Sequence, residues 1–362
     1  MDEPIFEETF AYRSSNGDLD GFGLHKVDAW IASSLFQKAV RRGDVETAIS
    51  AAKRLFSLRG KTAFNRFVVA AFEDIGIGSE AAIVDTVAQV GFANCYTDGE
   101  YPSIEAVVRL LASAPKDRSA DYLICAAHAH PSLEPIRRQI GGLNNLDRIA
   151  VAVNPSVPLP ERAVAVWFAA GSNWKGEHRL GRGDPKLLLE AFRASGVSDA
   201  LLNATSLAAR ITREPIVYMV PLLATALKTS TLTAVSQFNM PEKSTLYGIP
   251  LLALGHHTRV GKAAIRKFLR ECAELRETVG LHVAEFKAAS VVEIAVYYAD
   301  AAPVSLKLVW DQSEALETLG RESDFLEAGA PIYAIAEIEA VVFRNLHHLN
   351  AIRSDLLRAA LK

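Results

Sequence analysis

Hydrophobic residues recur at intervals of three and four along most of the chain, which is the period of an amphipathic helix. The first such segment begins at Lys26 and stops at Gly43, and the second follows Asp44, a residue type that often caps helix N-termini. We expect these two helices to form a hairpin. Further helices are predicted over residues 62–72, 79–93, 104–111 and from 119 to just before Pro131.

The helical pattern is interrupted by Gly141 and Gly142 and by three prolines between residues 154 and 160, all residue types that resist helix propagation. A domain boundary is therefore predicted near residues 150–160. Beyond it, helices are predicted over 162–170, 185–194, 198–210, 215–227, 261–279, 284–298 and 331–361. Residues 149–153 can also be interpreted as a short strand. Turn-forming residues dominate the first 24 positions, which predicts a flexible arm.

The fold class that follows is all-α, with the arm at 1–24, a helical domain over 25–150 and a second helical domain of unknown type over 160–362. Half of the residues are hydrophobic and the net charge is −3, so a large core is possible and bulk attraction of nucleic acid is not expected. The three cysteines are far apart and lie in apolar surroundings, as buried thiols do in a reducing compartment. An acidic N-terminus and the lack of an apolar run of about 20 residues favour a cytoplasmic protein without a membrane partner.

Motifs that would indicate catalysis are not convincing. The tripeptide Gly60-Lys61-Thr62 ends like a phosphate-binding loop, but the position of the required first glycine is occupied by Leu55. Adjacent histidines, such as His256 and His257, point about 100° apart on a helix and are a poor metal-ligand pair. We therefore predict no catalytic residue, no metal and no cofactor, and expect that the protein neither binds nor hydrolyses ATP.

Basic residues are concentrated in two stretches that are candidates for contact with nucleic acid or a partner. The early stretch contributes Lys38, Arg41, Arg42, Lys53, Arg54 and Arg66. The later stretch contributes Arg259, Lys262 and Arg266, on a helix whose apolar residues face inward. Arginine and lysine on an exposed face can pair with phosphate, and a face that is simply solvated remains the alternative.

Three blocks of sequence carry a resemblance to a known family: residues 34–48, 66–78 and 108–116. The second block contains Glu73-Asp74-Ile75-Gly76 near its end, and the third ends in Pro115-Lys116. Over residues 26–135 the chain resembles the C-terminal helical oligomerisation domain of RarA/MgsA-type AAA+ ATPases. The resemblance implies a collar-like domain, similar to the one in clamp loaders, that assembles subunits of an enzyme acting at replication forks. The family's ATPase core has no counterpart in this sequence, so ATP hydrolysis is not implied.

Glu73 and Asp74 also have a local interpretation that does not depend on the resemblance. Their carboxylates at a helix end could accept hydrogen bonds from turn N–H groups or pair with Arg66. The leading hypothesis is a non-catalytic accessory or scaffold protein of DNA replication, repair or recombination, which forms homo-oligomers or docks on a replication or repair protein and contacts DNA. Two alternatives remain: an enzyme of unknown class with its site near residues 256–259, and an interaction module of a mobile-element or defence system. A concave pocket with convergent polar groups would favour the enzyme, and a broad apolar or charged patch would favour a scaffold.

Overall fold

A computed structural model describes residues 23–95, 103–172 and 180–361, and these ranges are mainly helical, which confirms the predicted all-α class. The arm predicted at residues 1–24 lies, up to residue 22, outside the described residues. The first nine helices are α1 (Ala29–Arg42), α2 (Val45–Arg59), α3 (Ala63–Ala70), α4 (Glu80–Cys95), α5 (Ile104–Ser113), α6 (Ser119–Ala129), α7 (Glu134–Gly141), α8 (Asn145–Val153) and α9 (Leu159–Ala169). The later helices are α10 (Pro185–Ala194), α11 (Asp199–Thr212), α12 (Met219–Leu227), α13 (Arg259–Glu271), α14 (Ala273–His282), α15 (Glu285–Val296), α16 (Ser313–Ala328), α17 (Ile335–Arg344) and α18 (Leu346–Leu361).

The first two helices form the predicted hairpin. Asp28 caps α1 by accepting hydrogen bonds from the backbone N–H groups of Trp30 and Ile31, at 2.9 and 2.8 Å. Gly43 ends α1 in a left-handed conformation, with φ of 66°. Asp44 then caps α2, and the two helices pack against each other. The sequence therefore predicted both the stop and the start correctly.

Two small antiparallel ribbons interrupt the helices. Strand β1 (Thr233–Gln237) pairs with β4 (Leu306–Trp310), with Thr233 opposite Trp310, and β2 (Thr245–Leu246) pairs with β3 (Ile249–Pro250). The backbone of Lys116 joins β4, because its N–H donates to the Leu306 carbonyl at 2.7 Å and its carbonyl accepts from the Leu308 N–H at 2.9 Å. Neither β1 nor β4 was predicted. Residues 149–153, by contrast, belong to α8 and form no strand.

The buried hydrophobic residues form two clusters that do not follow the predicted domains. The first cluster draws on residues from Val27 to Leu254 and also includes Leu308, Trp310 and Leu357. The second is formed within residues 264–352, by α13 to α18. The boundary predicted near 150–160 is therefore wrong as a division between cores. The prolines there end α8 and begin α9, but the two helices fold back on each other and continue the same core.

The helices in the described ranges are short. The longest, α4, α16 and α18, have 16 residues each. A membrane-spanning helix needs about 20 predominantly apolar residues. No helix of the described chain combines the length and the hydropathy of a membrane span.

Candidate functional site

Two helix faces and part of a third line a deep cleft, which we call the central groove. On α1 its lining recurs at helical spacing, with Trp30, Ser34, Gln37 and Arg41 on one face. On the facing side are Thr62, Arg66, Val69 and Glu73, also spaced by three and four, and α6 contributes Asp121, Ile124 and Cys125. Two adjoining cavities of about 740 and 390 Å³ share six lining residues, including Arg66 and Asp121, so they form one space. We call the larger part the outer half and the smaller part the inner chamber.

A buried ion cluster lies between the two halves of the groove. The Arg41 side chain, only 4% exposed, places Nε 2.6 Å from Asp74 Oδ1 and Nη2 2.8 Å from Glu73 Oε1. Its Nη1 donates to the Ala301 carbonyl at 3.2 Å. All three nitrogens of this guanidinium are therefore engaged, which fixes the side chain in one position.

A second buried arginine joins the same carboxylates. Arg118 Nη2 donates to Asp121 Oδ2 and lies 3.7 Å from Glu73 Oε1, while its Nε is 3.3 Å from Asp74 Oδ1. Its guanidinium also lies 5.5 Å from the ring centroid of Tyr297. The Glu73 and Asp121 carboxyl groups therefore face each other across a single nitrogen, at the floor of the groove.

These surroundings separate the pKa values of the neighbouring carboxyl groups. Burial raises the pKa of Asp121 to about 7, against the opposing effect of Arg118. Burial also disfavours ionised Glu73, but Arg41 and Arg118 outweigh it and lower the pKa of Glu73 below its ordinary value. Burial raises the pKa of Asp74 despite Arg41. Near neutral pH the floor therefore holds an ionised and a partly protonated carboxyl group side by side, the combination that acid–base chemistry uses.

The inner chamber contains a lysine without a carboxylate partner. Lys38 is only 5% exposed, and its Nζ donates to the Leu252 carbonyl at 2.5 Å. Burial lowers the pKa of Lys38 to about 7, although nearby Asp300 favours its charged form. Asp300 is itself paired with Arg353, at 2.6 Å, while its Oδ1 has no partner among the described residues.

His256 and His257 also line the inner chamber, directly after Gly255, which lies close to the Lys38 amine. The rings of His256 and His257 lie 3.8 Å apart, and His256 contacts the Tyr297 ring edge to face. Burial, followed by His257 and then by the cations Lys38, Lys262 and Arg41, lowers the pKa of His256 to about 3. His257 keeps an exposed edge, and its pKa is lowered by burial and by neighbouring cations. Within the described ranges, no group of three or more His, Cys, Asp or Glu side chains could hold a metal ion.

Two wide helical turns place these side chains. Glu73 and Asp74 lie on a π-helical turn, Ala71–Ile75, and Tyr297 and Asp300 lie on a second one, Tyr297–Ala301. A π turn inserts an additional residue into a helix and changes the direction of the side chains after it; such turns are frequent at functional sites. Both turns of this kind in the described chain border the central groove.

The early basic stretch does not form the exposed face that its sequence suggested. Lys38 and Arg41 are buried, which corrects their assignment as phosphate contacts, because a macromolecular backbone cannot reach them. Arg42 is half-buried and donates to the carbonyls of Pro241 and Asp300. The other three basic residues also have partners within the fold. Arg54 donates twice to the Val27 carbonyl, and Lys53 lies 3.5 Å from Glu105. Arg66 donates to Ser33 in the groove.

The positions taken from the family resemblance are held by contacts within this fold. Gly76 has φ of 50° and its α-carbon faces the Asp117 carbonyl, so close that an added Cβ would lie 2.4 Å from that oxygen. Lys116 is fully buried and donates to two carbonyls of its own segment, and Pro115 packs beside Gly78. Glu73 and Asp74 pair with Arg41 and Arg118; the interpretation that they pair with Arg66 is therefore wrong as to the partner.

The later basic stretch is on the surface as predicted. Arg259, Lys262 and Arg266 are exposed on α13, whose buried side includes Ala264 and Ile265. The helix begins at Arg259 rather than after Gly261, because Thr258 accepts a hydrogen bond from the Gly261 N–H. These three cations remain accessible to a partner.

Sequence reasoning missed several residues of the groove, chiefly Arg118, Asp121, Tyr297 and Asp300. One signal was present: Asp121 is the sole charged residue within α6, a helix that is otherwise largely apolar. A lone carboxylate on such a helix needs a buried partner.

Neither a family model nor a curated protein nor a solved structure matches this chain.

Proposed function

We propose that this protein binds a small polar molecule in the central groove, as expected of the enzyme alternative with its site near residues 256–259. The observation that carries the proposal is the convergence of buried polar groups with unused hydrogen-bonding capacity. Among the residues that the structure describes, Asp300 Oδ1 has no partner, and Lys38 uses one of three N–H donors. Buried polar atoms are normally satisfied, so a cavity lined by such atoms favours a ligand that completes their bonds.

The depth of the groove supports the same proposal. A cluster that only stabilised the fold would be closed to solvent, whereas Glu73 and Asp121 both line open space and their side chains are 18% and 23% exposed. Trp30 stands at the outer end with 54% of its surface exposed and Arg59 over its ring, so an aromatic platform is available to a ligand entering there.

A library of nucleotides, sugar phosphates, organic acids, amino acids and sugars tests the proposal by thermal shift. Val69→Trp would obstruct the outer half of the groove, and Val235→Trp makes the same substitution on exposed β1 as its control. We expect at least one compound to raise the Tm of the wild type and the control but not that of Val69→Trp. Stabilisation of all three proteins alike, or of none by any compound, would contradict a groove ligand.

A second candidate, the scaffold hypothesis, is favoured by a surface patch on the C-terminal core. We call it the apolar patch; it consists of Leu281, Phe286, Ile332 and Tyr333, of which Leu281, Phe286 and Tyr333 are 76%, 83% and 77% exposed. His282, which follows Leu281 in the sequence, contacts the Tyr333 ring edge to face. Apolar side chains this exposed favour a protein interface. The link to DNA replication, repair or recombination remains a prediction from the three sequence blocks.

Light scattering across a concentration range tests self-association through the apolar patch. We expect the wild type to associate at tens of micromolar and Phe286→Ser combined with Tyr333→Ser to remain monomeric. Leu146→Ser, at an exposed leucine on α8, is the control. A wild type that is monomeric throughout would remove the support for self-association.

A further inference from the structure

We propose that the inner chamber binds an oxyanion, a phosphate or carboxylate group of the ligand, between Lys38 and the histidine pair. This inference rests on the proposed groove ligand and adds its chemical class.

The first argument is the balance of charges around the chamber. Arg41 and Arg118 share the carboxyl groups of Glu73, Asp74 and Asp121, and Arg353 is paired with Asp300. By contrast, Lys38, Arg42 and Arg66 have no carboxylate within 4 Å among the described residues. The two of these that line the chamber, Lys38 and Arg66, are therefore cations without a carboxylate in ion-pair contact. Asp300 and Glu73 act on them from beyond 4 Å, and the Asp324 carboxyl group in the lining accepts from the Tyr298 hydroxyl.

The pKa values of the histidine pair are shifted by the same positive charges. Lys38 and Arg41 lower the pKa of both histidines. Lys262 also lowers the pKa of His256, and Arg66 that of His257. Glu73 acts in the opposite direction, on His257 alone. Two neutral imidazoles held 3.8 Å apart each offer one N–H donor. A neutral donor pair beside a buried ammonium suits an anion, since a cation would be repelled there.

The chamber also offers donors in excess of acceptors. Among the described residues, Lys38 as an ammonium has two N–H groups without a partner, and each imidazole offers one N–H and one acceptor nitrogen. Asp300 Oδ1 is the buried carboxylate oxygen of the described chamber lining that has no partner. A phosphate or carboxylate oxygen accepts from several donors at once, which matches this set.

Binding of the anion should take up a proton at Lys38. The charged groups that act on its amine are Asp300, Arg353, Arg41 and Arg42, and the titratable rings of His256 and His257 interact with it as well. Because the pKa of Lys38 is about 7 in the free protein, an adjacent anion raises it and favours the ammonium form. Affinity should therefore be highest below pH 7 and fall as the pH rises above 7, by up to about tenfold per unit for one linked proton.

Sulfate is the probe, because its charge is constant between pH 6 and 9. Calorimetry at fixed ionic strength would compare the wild type, Lys38→Gln and the control Lys186→Gln, whose lysine is exposed on α10 and does not line the groove. We expect Lys38→Gln to weaken sulfate binding at least tenfold and the control to leave it unchanged. Competition by methyl phosphate and by acetate then distinguishes a phosphate from a carboxylate source.

If Lys38→Gln does not fold, the test still rests on two measurements. These are the pH profile of sulfate binding by the wild type and sulfate binding by the variant Arg66→Gln. A wild type that binds no sulfate at tens of millimolar, or binds it equally at pH 6 and 9, would overturn the oxyanion inference. A neutral compound whose binding is blocked by Val69→Trp but not displaced by sulfate would also overturn it while supporting the groove ligand. If no compound binds at all, both proposals fail together.

Discussion

At the scale of single residues, Arg41 determines the character of the molecule's interior. Burying a guanidinium is costly, and its pairing with Asp74 and Glu73 offsets that cost only while the geometry is kept. The Ala301 carbonyl takes the remaining bond. The arginine therefore ties α1 to two π turns that are more than 200 residues apart in sequence, and the groove depends on it for its shape.

We predict that Arg41→Ala lowers the free energy of unfolding by about 3–5 kcal/mol, because it leaves buried carboxyl groups without their partner. Urea unfolding followed by circular dichroism measures the change. Arg109→Ala, which breaks an exposed pair with Glu105, is the matched control and should have little effect. Equal effects of the two substitutions would show that the buried cluster contributes nothing beyond a surface ion pair.

The sequence revealed which residue types were present at this scale but not their partners. Glu73 and Asp74 were identified as notable, yet their true partner Arg41 was assigned to a solvent-exposed face. Local spacing cannot reveal a contact between residues 32 positions apart, since that contact depends on how α1 packs beside α3. The site near His256 was kept as an alternative for the same reason: its neighbours come from distant segments.

At the scale of elements, helix ends were the most predictable feature because they are encoded by neighbouring residues. Asp28, Asp44 and Ser103 cap helices by short-range hydrogen bonds, and Gly43 stops α1. The helix predicted over 261–279 is instead two helices, separated at Cys272. The strands β1 and β4 were missed because each is completed by a partner about 70 residues away.

A matched pair of glycines tests the role of backbone geometry at this scale. Gly76→Ala should destabilise the protein by about 1–3 kcal/mol, because it places a Cβ against the Asp117 carbonyl in a left-handed conformation. Gly280→Ala should stabilise it by about 0.5–1 kcal/mol, since the site lies in α14 and an added Cβ meets no atom within 4 Å. Thermal unfolding of both variants measures whether each substitution lowers or raises the stability. A Gly76→Ala protein as stable as the wild type would contradict the close approach of Gly76 to the Asp117 carbonyl.

At the scale of the whole molecule, the first core is shared by segments from both ends of the chain. Trp310 packs into it and its indole Nε1 donates to Asp117 at 3.1 Å. α9 contacts both α6 and α8, so the predicted division near residue 155 would cut through packed helices. The sequence predicted most of the helices, but it missed α7, α8 and α16 and joined α17 to α18. Their grouping could not be predicted, because prolines mark helix ends and not core boundaries.

We therefore predict that a fragment of residues 1–156 does not fold cooperatively, since it lacks Trp167, Trp310 and Leu357 from its core. Amide NMR dispersion and the sharpness of the thermal transition compare the fragment with the intact chain. A fragment with a sharp transition and dispersed amides would restore the domain division that the sequence suggested.

The inclusion of Leu357 in the first core has a consequence for how the protein is made. A ribosome adds about 5–20 residues per second, and chains usually fold from the N-terminal end as they emerge. Here the N-terminal helices cannot complete their core until Leu308, Trp310 and finally Leu357 have been synthesised. The nascent chain therefore carries exposed apolar surface for most of its synthesis, which makes it a substrate for cotranslational chaperones.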